Sequence, residues 1–154
     1  VTPSAEFNIW ADPEGARVAM AAGIPMTLVP LDATHKALLN QDHLATLKTF
    51  GTPAADAAVI FTEHLGRWHK NQTMVPFGSV PMHDSLVVCA VIDRTVIETV
   101  HVFVDIETFG ELTIGRTVCD THFRSGKEPN CHVALGVDQN KYIDIIMSTL
   151  KRTA

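Results

Sequence analysis

The 154-residue chain has few cysteines, few basic residues and no long apolar run. Each shortage excludes something. Three cysteines, Cys89, Cys119 and Cys131, are too few and too scattered for a disulfide scaffold, which points to a reducing, cytoplasmic setting. Lys and Arg number 12 against 17 Asp and Glu, a net charge of −5, so the basic face of a nucleic-acid binder is not expected. No apolar stretch approaches the ~20 residues of a membrane span, so no transmembrane helix and no membrane partner are expected. No basic-plus-apolar leader and no initiating Met open the sequence, so Val1-Thr2-Pro3-Ser4 reads as a truncation rather than a natural beginning. Repeats and low-complexity tracts are lacking too. What is present is apolar side chain: 46% of residues are hydrophobic, enough to offset the entropy of ordering. The length suits one domain, which at this size buries roughly 70% of its unfolded surface.

Periodicity and punctuation give a coarse map. Residues 12–22 read as a helix, with Asp12 as N-cap, Pro13 at the first helical position and Gly23 as the stop. The apolar run Met26–Leu31 between prolines reads as a buried strand. Leu38, Leu39, Leu44 and Leu47 stand near helical spacing and predict a helix from about Lys36 to Phe50. Thr52 and Pro53 open a third helix running to about His69. Lys70–Pro81, with Asn, Gly and two prolines, reads as a loop or lid. A fourth helix is expected from about Asp84 to Ile92. Thr99–Ile106, Thr117–Asp120 and His132–Val137 read as strands. Polar, turn-rich residues 121–130 lie between the last two. Gln139–Leu150 reads as a final helix with Tyr142, Ile143, Ile146, Met147 and Leu150 on one face. The class is α/β, a mixed sheet with flanking helices.

Three stretches carry candidate chemistry. Glu6-Phe7-Asn8 places a carboxylate and an amide two residues apart, on the same side of extended chain, where they can grip vicinal sugar hydroxyls; ordinary loop polarity is the plain alternative. Pro81-Met82-His83-Asp84 sits where a loop meets a helix. Asp84 there can cap backbone N–H groups or bind a hard cation such as Ca²⁺. His83 can act as a general acid, or can simply be an exposed histidine. Asp32-Ala33-Thr34-His35-Lys36 follows a strand, a common site position in α/β sheets, although capping by Asp32 or Thr34 is the favoured plain account. A zinc reading from Cys119-x-x-His122 with Cys131-His132 is weak, because adjacent strand residues face opposite sides. His64 and His69, five apart, miss the i, i+4 pairing of helical metal ligands.

Together these stretches resemble the inosine-uridine-preferring nucleoside hydrolase family. Residues 5–14, Ala-Glu-Phe-Asn-Ile-Trp-Ala-Asp-Pro-Glu, are similar to its ribose-binding segment and following helix. Residues 23–36, from Gly-Ile-Pro-Met through Leu-Asp-Ala-Thr-His-Lys, are similar to its central strand and loop. Pro81–Asp84 resembles its late active-site motif, residues 104–120 its C-terminal strand pair, and 133–150 its ending. The resemblance implies the C-terminal half of the nucleoside hydrolase fold: residues 1–154 form a single partial domain. It implies hydrolysis of the N-glycosidic bond of purine or pyrimidine nucleosides, with Asp84 a Ca²⁺ ligand that also touches ribose. It further implies that Glu6, Phe7 and Asn8 lie at the ribose, that His83 is the acid for the departing base, and that the segment around Trp68–Phe77 closes over the base.

The family's opening Asp-rich motif, close to Asp-x-Asp-x-x-x-Asp-Asp, has no counterpart here. It carries most Ca²⁺ ligands and the general base. One carboxylate cannot fill a site of six to eight oxygens. The expectation is therefore that this chain alone is inactive and holds Ca²⁺ weakly or not at all. Its expected partners are a nucleoside in the intact enzyme, and either the missing N-terminal half or further copies of itself on surfaces that half would cover. A non-catalytic binding or assembly module derived from the same fold is the alternative.

Overall fold

The computed structural model describes residues 2–68 and 75–152. In chain order its elements begin with α1 (Phe7–Ala11), α2 (Pro13–Ala21), β1 (Thr27–Leu28), α3 (Leu31–Thr34), β2 (Leu38–Leu39), α4 (Gln41–Lys48) and α5 (Pro53–Trp68). There follow β3 (Val80–Pro81), α6 (His83–Ile92), β4 (Ile97–Val102), β5 (Val104–Ile106), β6 (Thr117–Cys119), β7 (Cys131–Val137) and α7 (Gln139–Arg152). The class is mixed α/β as expected. One sheet has the order β1-β7-β4, with β1 parallel to β7, and two antiparallel ribbons pair β2 with β3 and β5 with β6.

The chain divides into two compact units, residues 1–30 with 99–134, and residues 31–98 with 135–154. In the first, Met20, Val102, Val104, Ile106, Cys131 and Val133 form the core, with Ile9, Ala16, Met26 and Leu28 packed against it. Helix α2 starts as its sequence dictates. The Asp12 carboxylate accepts from the Gly15 N–H at 2.8 Å, and Pro13 needs no N–H at the first turn. Asn130 bolts this unit together. Its side-chain oxygen accepts from the Val104 N–H at 2.7 Å, and its amide donates to the carbonyls of Val104 and Met20 at 2.9 and 3.1 Å. Gly115, at φ +80°, lies so close to α1 that a Cβ would stand 2.9 Å from Trp10 Cα, so only glycine fits. The strand expected over Met26–Leu31 contracts to Thr27–Leu28. Prolines 25 and 30 bracket it, β1 is an edge pairing only with β7, and Leu31 opens α3 instead.

In the second unit, Leu44, Leu47, Ala55 and Val59 form the core, with Phe50, Met147 and Leu150 against them. The helix expected from Lys36 is corrected: Leu38 and Leu39 form β2, and α4 starts only after Asn40. Two side-chain devices accompany the break, one local and one distant in sequence. Gln139 satisfies Leu38 from the side, its amide donating to the Leu38 carbonyl at 2.6 Å and its oxygen accepting the Leu38 N–H at 3.1 Å. Asn40 then caps α4 reciprocally with His43: the Asn40 oxygen takes the His43 N–H, and His43 Nδ1 takes the Asn40 N–H. Thr52 behaves as expected, its hydroxyl accepting from the Ala55 N–H at 3.2 Å while donating to the Leu150 carbonyl at 2.7 Å. After His83-Asp84-Ser85, helix α6 is apolar on every side: Leu86 and Cys89 are buried, whereas Val87, Val88, Val91 and Ile92 face outward. No helix among the described residues is long and apolar enough to cross a membrane.

Candidate functional site

The residues singled out from sequence fall into two local constellations, one in each unit. Glu6, Phe7 and Asn8 belong to the first unit, His83 and Asp84 to the second.

Glu6 is not on extended chain with Asn8, because Phe7–Ala11 is helical. Glu6 is its N-cap, one carboxylate oxygen accepting from the Ile9 N–H at 2.7 Å and the other from the Asn8 N–H at 3.0 Å. Glutamate is not among the favoured capping residues, which is why the sequence did not announce this short helix. A carboxylate offers about four lone-pair sites, so two remain for incoming hydroxyl donors. Phe7 and Asn8 are exposed on the first turn.

His83 is the first residue of α6, and its position follows from backbone pairing. Leu38 and Leu39 pair with Pro81 and Val80, and the Met82 N–H continues the ladder to the Ala37 carbonyl at 2.9 Å. That ladder delivers His83 to Thr34, whose hydroxyl lies 2.7 Å from His83 Nδ1. The His35 ring stands edge-on to the His83 ring, with centroids 5.6 Å apart. The capping expectation for Asp84 is corrected: Met82 is the N-cap, no side chain caps α6, and Asp84 lies exposed within the first turn. A carboxylate there is favoured by the positive end of the helix macrodipole. In the same turn, Ser85 donates to the Met82 carbonyl at 3.1 Å and shares a 2.7 Å hydrogen bond with the phenol of Tyr142. Burial pushes the Tyr142 phenol up to about 12, a rise that the Ser85 hydrogen bond moderates.

Thr34 lies in a stretch singled out from sequence, but its partner was not foreseen. It is not a cap but the buried last residue of α3, and its side chain meets His83 across 49 residues of sequence. The juxtaposition of Thr34-His35 with Met82-His83 arises from strand pairing, which no local pattern encodes. Asp32 is exposed in the first turn of α3.

The metal readings are limited by their donors. Among the described residues no three of His, Cys, Asp and Glu converge to hold an ion. The zinc reading thereby loses its ligand set. Cys131 is buried in the core, and burial raises its thiol, as it does that of Cys89, which makes both poor thiolate donors. A Ca²⁺ site needs six to eight oxygens, and the family resemblance implies only Asp84 as a ligand from this chain, so the described residues do not supply such a site by themselves. His69 and the part of the Trp68–Phe77 segment expected to cover the base that spans 69–74 lie outside the described residues.

Residues 1–144 match the family described as inosine-uridine preferring nucleoside hydrolase. The chain belongs to that family. It is 33% identical over 150 residues to the pyrimidine-specific ribonucleoside hydrolase RihA of Salmonella schwarzengrund, and the match covers 97% of this chain and 48% of that protein. The RihA of Escherichia coli O17:K52:H18 is 32% identical with the same coverage. Among solved structures, the purine-preferring ribonucleoside hydrolase from Gardnerella vaginalis superposes with a TM-score of 0.83 at 25% identity, over 96% of this chain and 46% of that one. The plant nucleoside hydrolase PpNRh1 gives 0.87 at 19% identity, over 97% and 48%, and supports the fold. The chain thus spans about half the length of the relatives it matches.

Proposed function

We propose that this chain carries the ribose-contacting and leaving-group portion of a ribonucleoside hydrolase site, as the C-terminal half of the family fold. The remaining carboxylates of the site then lie outside these 154 residues. The observation that carries this reading is the α6 N-terminus, where His83 and Asp84 stand side by side on a helix held by the β2–β3 ladder.

The reaction is attack of water on the anomeric carbon, with positive charge growing on the sugar ring as the bond to the base breaks. Each residue has a separable task. Glu6 accepts from ribose hydroxyls with the lone pairs its capping bonds leave over. Asn8 adds an amide, and Phe7 an apolar wall. Asp84 takes a further ribose hydroxyl and stabilises the growing positive charge. His83 gives a proton to the departing base, so that the leaving group departs neutral. The assignment stops at the ribonucleoside: relatives named for pyrimidine and for purine preference both match, so the shared part of the substrate is the sugar. Release of base and ribose suits a cytoplasmic enzyme of nucleoside salvage, and three free cysteines suit that compartment.

By itself the chain is proposed to be inactive. The test is co-expression with the Asp-rich N-terminal half of a family member, followed by uridine and inosine hydrolysis with Ca²⁺ and with a chelator. Hydrolysis by the pair, abolished by Asp84→Asn and undetectable for either half alone, is the expected result. Robust hydrolysis by the 154-residue chain alone, or a pair whose activity ignores Asp84→Asn, would overturn the reading.

A further inference from the structure

We infer that Gln139 and Tyr142, in the first turn of α7, are positioning residues that hold the backbone carrying His83 and Asp84. The inference rests on the proposed roles of those two residues. Their place is set by the β2–β3 ladder that leads into α6 and by the first turn of α6 itself. The first turn of α7 grips both. Gln139 clasps Leu38 of β2, its amide donating to the Leu38 carbonyl at 2.6 Å and its oxygen accepting the Leu38 N–H at 3.1 Å. Tyr142 reaches α6, where its phenol shares a 2.7 Å hydrogen bond with Ser85, the residue after Asp84. The two side chains stand at i and i+3, so they project from one side of α7.

The grip is firm at its base. Asp138 caps α7, its carboxylate accepting the Lys141 N–H at 3.0 Å, and its own N–H donates to the Val96 carbonyl, just beyond the end of α6, at 2.9 Å. Tyr142 is 0% exposed, so water does not compete for its phenol. The start of α6 needs such an outside hold. Its N-cap Met82 offers no side-chain cap, and the Leu86 N–H reaches the Met82 carbonyl only at 3.4 Å. Ser85 donates to that same carbonyl at 3.1 Å, so the hold of Tyr142 on Ser85 is passed to the helix start. Without the phenol hydroxyl or the Gln139 amide, the core of the unit stays packed but the first turn of α6 is free to shift. A displacement of about 1 Å can cost a hundredfold in rate.

The test uses two variants that keep side-chain volume, Tyr142→Phe and Gln139→Met. Leu150→Ala controls for plain loss of stability, since Leu150 packs on the core of the second unit about 12 Å further along α7. In the 154-residue chain, ¹⁵N relaxation dispersion at the amides of residues 83–86 reads the hold directly. Wild type and Leu150→Ala should show no μs–ms exchange there, and both volume-keeping variants should show it. A wild-type chain that already exchanges at 83–86 overturns the inference with no variant needed. A folded variant that stays silent overturns the role of its residue. In the co-expressed pair of halves, each volume-keeping variant should lower kcat about three- to thirtyfold with KM within about threefold, as expected when reacting groups are misplaced. Unchanged kcat in both, or an equal fall in Leu150→Ala, also overturns it. An inactive wild-type pair with the expected dispersion defeats the enzyme reading alone and leaves the hold of α7 on α6 standing.

Discussion

The hydrogen bond between Ser85 and Tyr142 predicts an asymmetry between two single substitutions. Tyr142 is fully buried, and its phenol oxygen lies 2.7 Å from Ser85 Oγ. With the single Ser85 proton on the Met82 carbonyl at 3.1 Å, the arrangement taken for this prediction has the phenol as donor between the two hydroxyls. Ser85→Ala therefore strands a buried O–H donor and should cost about 1–3 kcal/mol. Tyr142→Phe removes that donor, while Ser85 keeps its bond to Met82 and loses only an incoming one. Its cost should be about 0.5–1.5 kcal/mol. The double variant leaves nothing stranded, so it should cost less than the two singles combined, with a coupling near ~1 kcal/mol. Urea unfolding followed by far-UV dichroism and by tryptophan fluorescence gives all three values, provided the slopes agree. The argument fails if Tyr142→Phe is the costlier single change, or if the two effects simply add. A pH titration checks the same burial. Tyr142 is the chain's single tyrosine, so phenolate absorbance reports it alone. Its rise from 10.0 to about 12 means the native state favours the neutral phenol. That contribution is whole below pH 10 and is lost as the pH climbs toward 12. Two pH units correspond to ~2.7 kcal/mol. A midpoint near 10 in folded protein would contradict burial of the phenol.

Two further outcomes are expected. The Asp120 carboxylate, held down to about 2 by hydrogen bonds from Ser125 and the Arg124 N–H, organises residues 120–125. Its depressed value means the loop is held above the ordinary carboxylate range near 3.8 and is released as pH falls toward 2. The amides of Arg124 and Ser125 should therefore lose exchange protection across that window in NMR, and protection persisting below pH 2 would disprove the link. The outward valines of α6, with Val91 83% exposed, should drive association of the isolated chain. Light scattering at high concentration should give a mass above 16.8 kDa, and Val91→Lys should reduce it; a monodisperse wild-type monomer would count against self-association.

Much of the fold is legible in single residues with one physical role. Asp12-Pro13 and Thr52-Pro53 mark helix starts because a cap and a residue without an N–H solve the same end problem, and both helices begin there. Leu38 and Leu39 misled, since two leucines read equally as helix or strand; the decision came from Gln139, 101 residues away. The candidate site divides in the same way. Glu6, Phe7, Asn8, His83 and Asp84 were identifiable as a family pattern, and the α6 N-terminus follows Met82 closely enough to place the last two. The capping task of Glu6 was hidden because it depends on a five-residue helix too short to show periodicity. The contact between Thr34 and His83 was hidden because it is made by strand register.

The threading of the chain through its two units sets a schedule for folding. Residues 1–30 must wait for 99–134, and 31–98 must wait for 135–154. During synthesis neither core is complete until β7 and α7 emerge. The α6 valines are exposed then as they are in the folded chain. A nascent chain of this topology is thus a natural client for chaperones at the ribosome, and its yield in cells should respond to holdase levels more than to small changes in native stability.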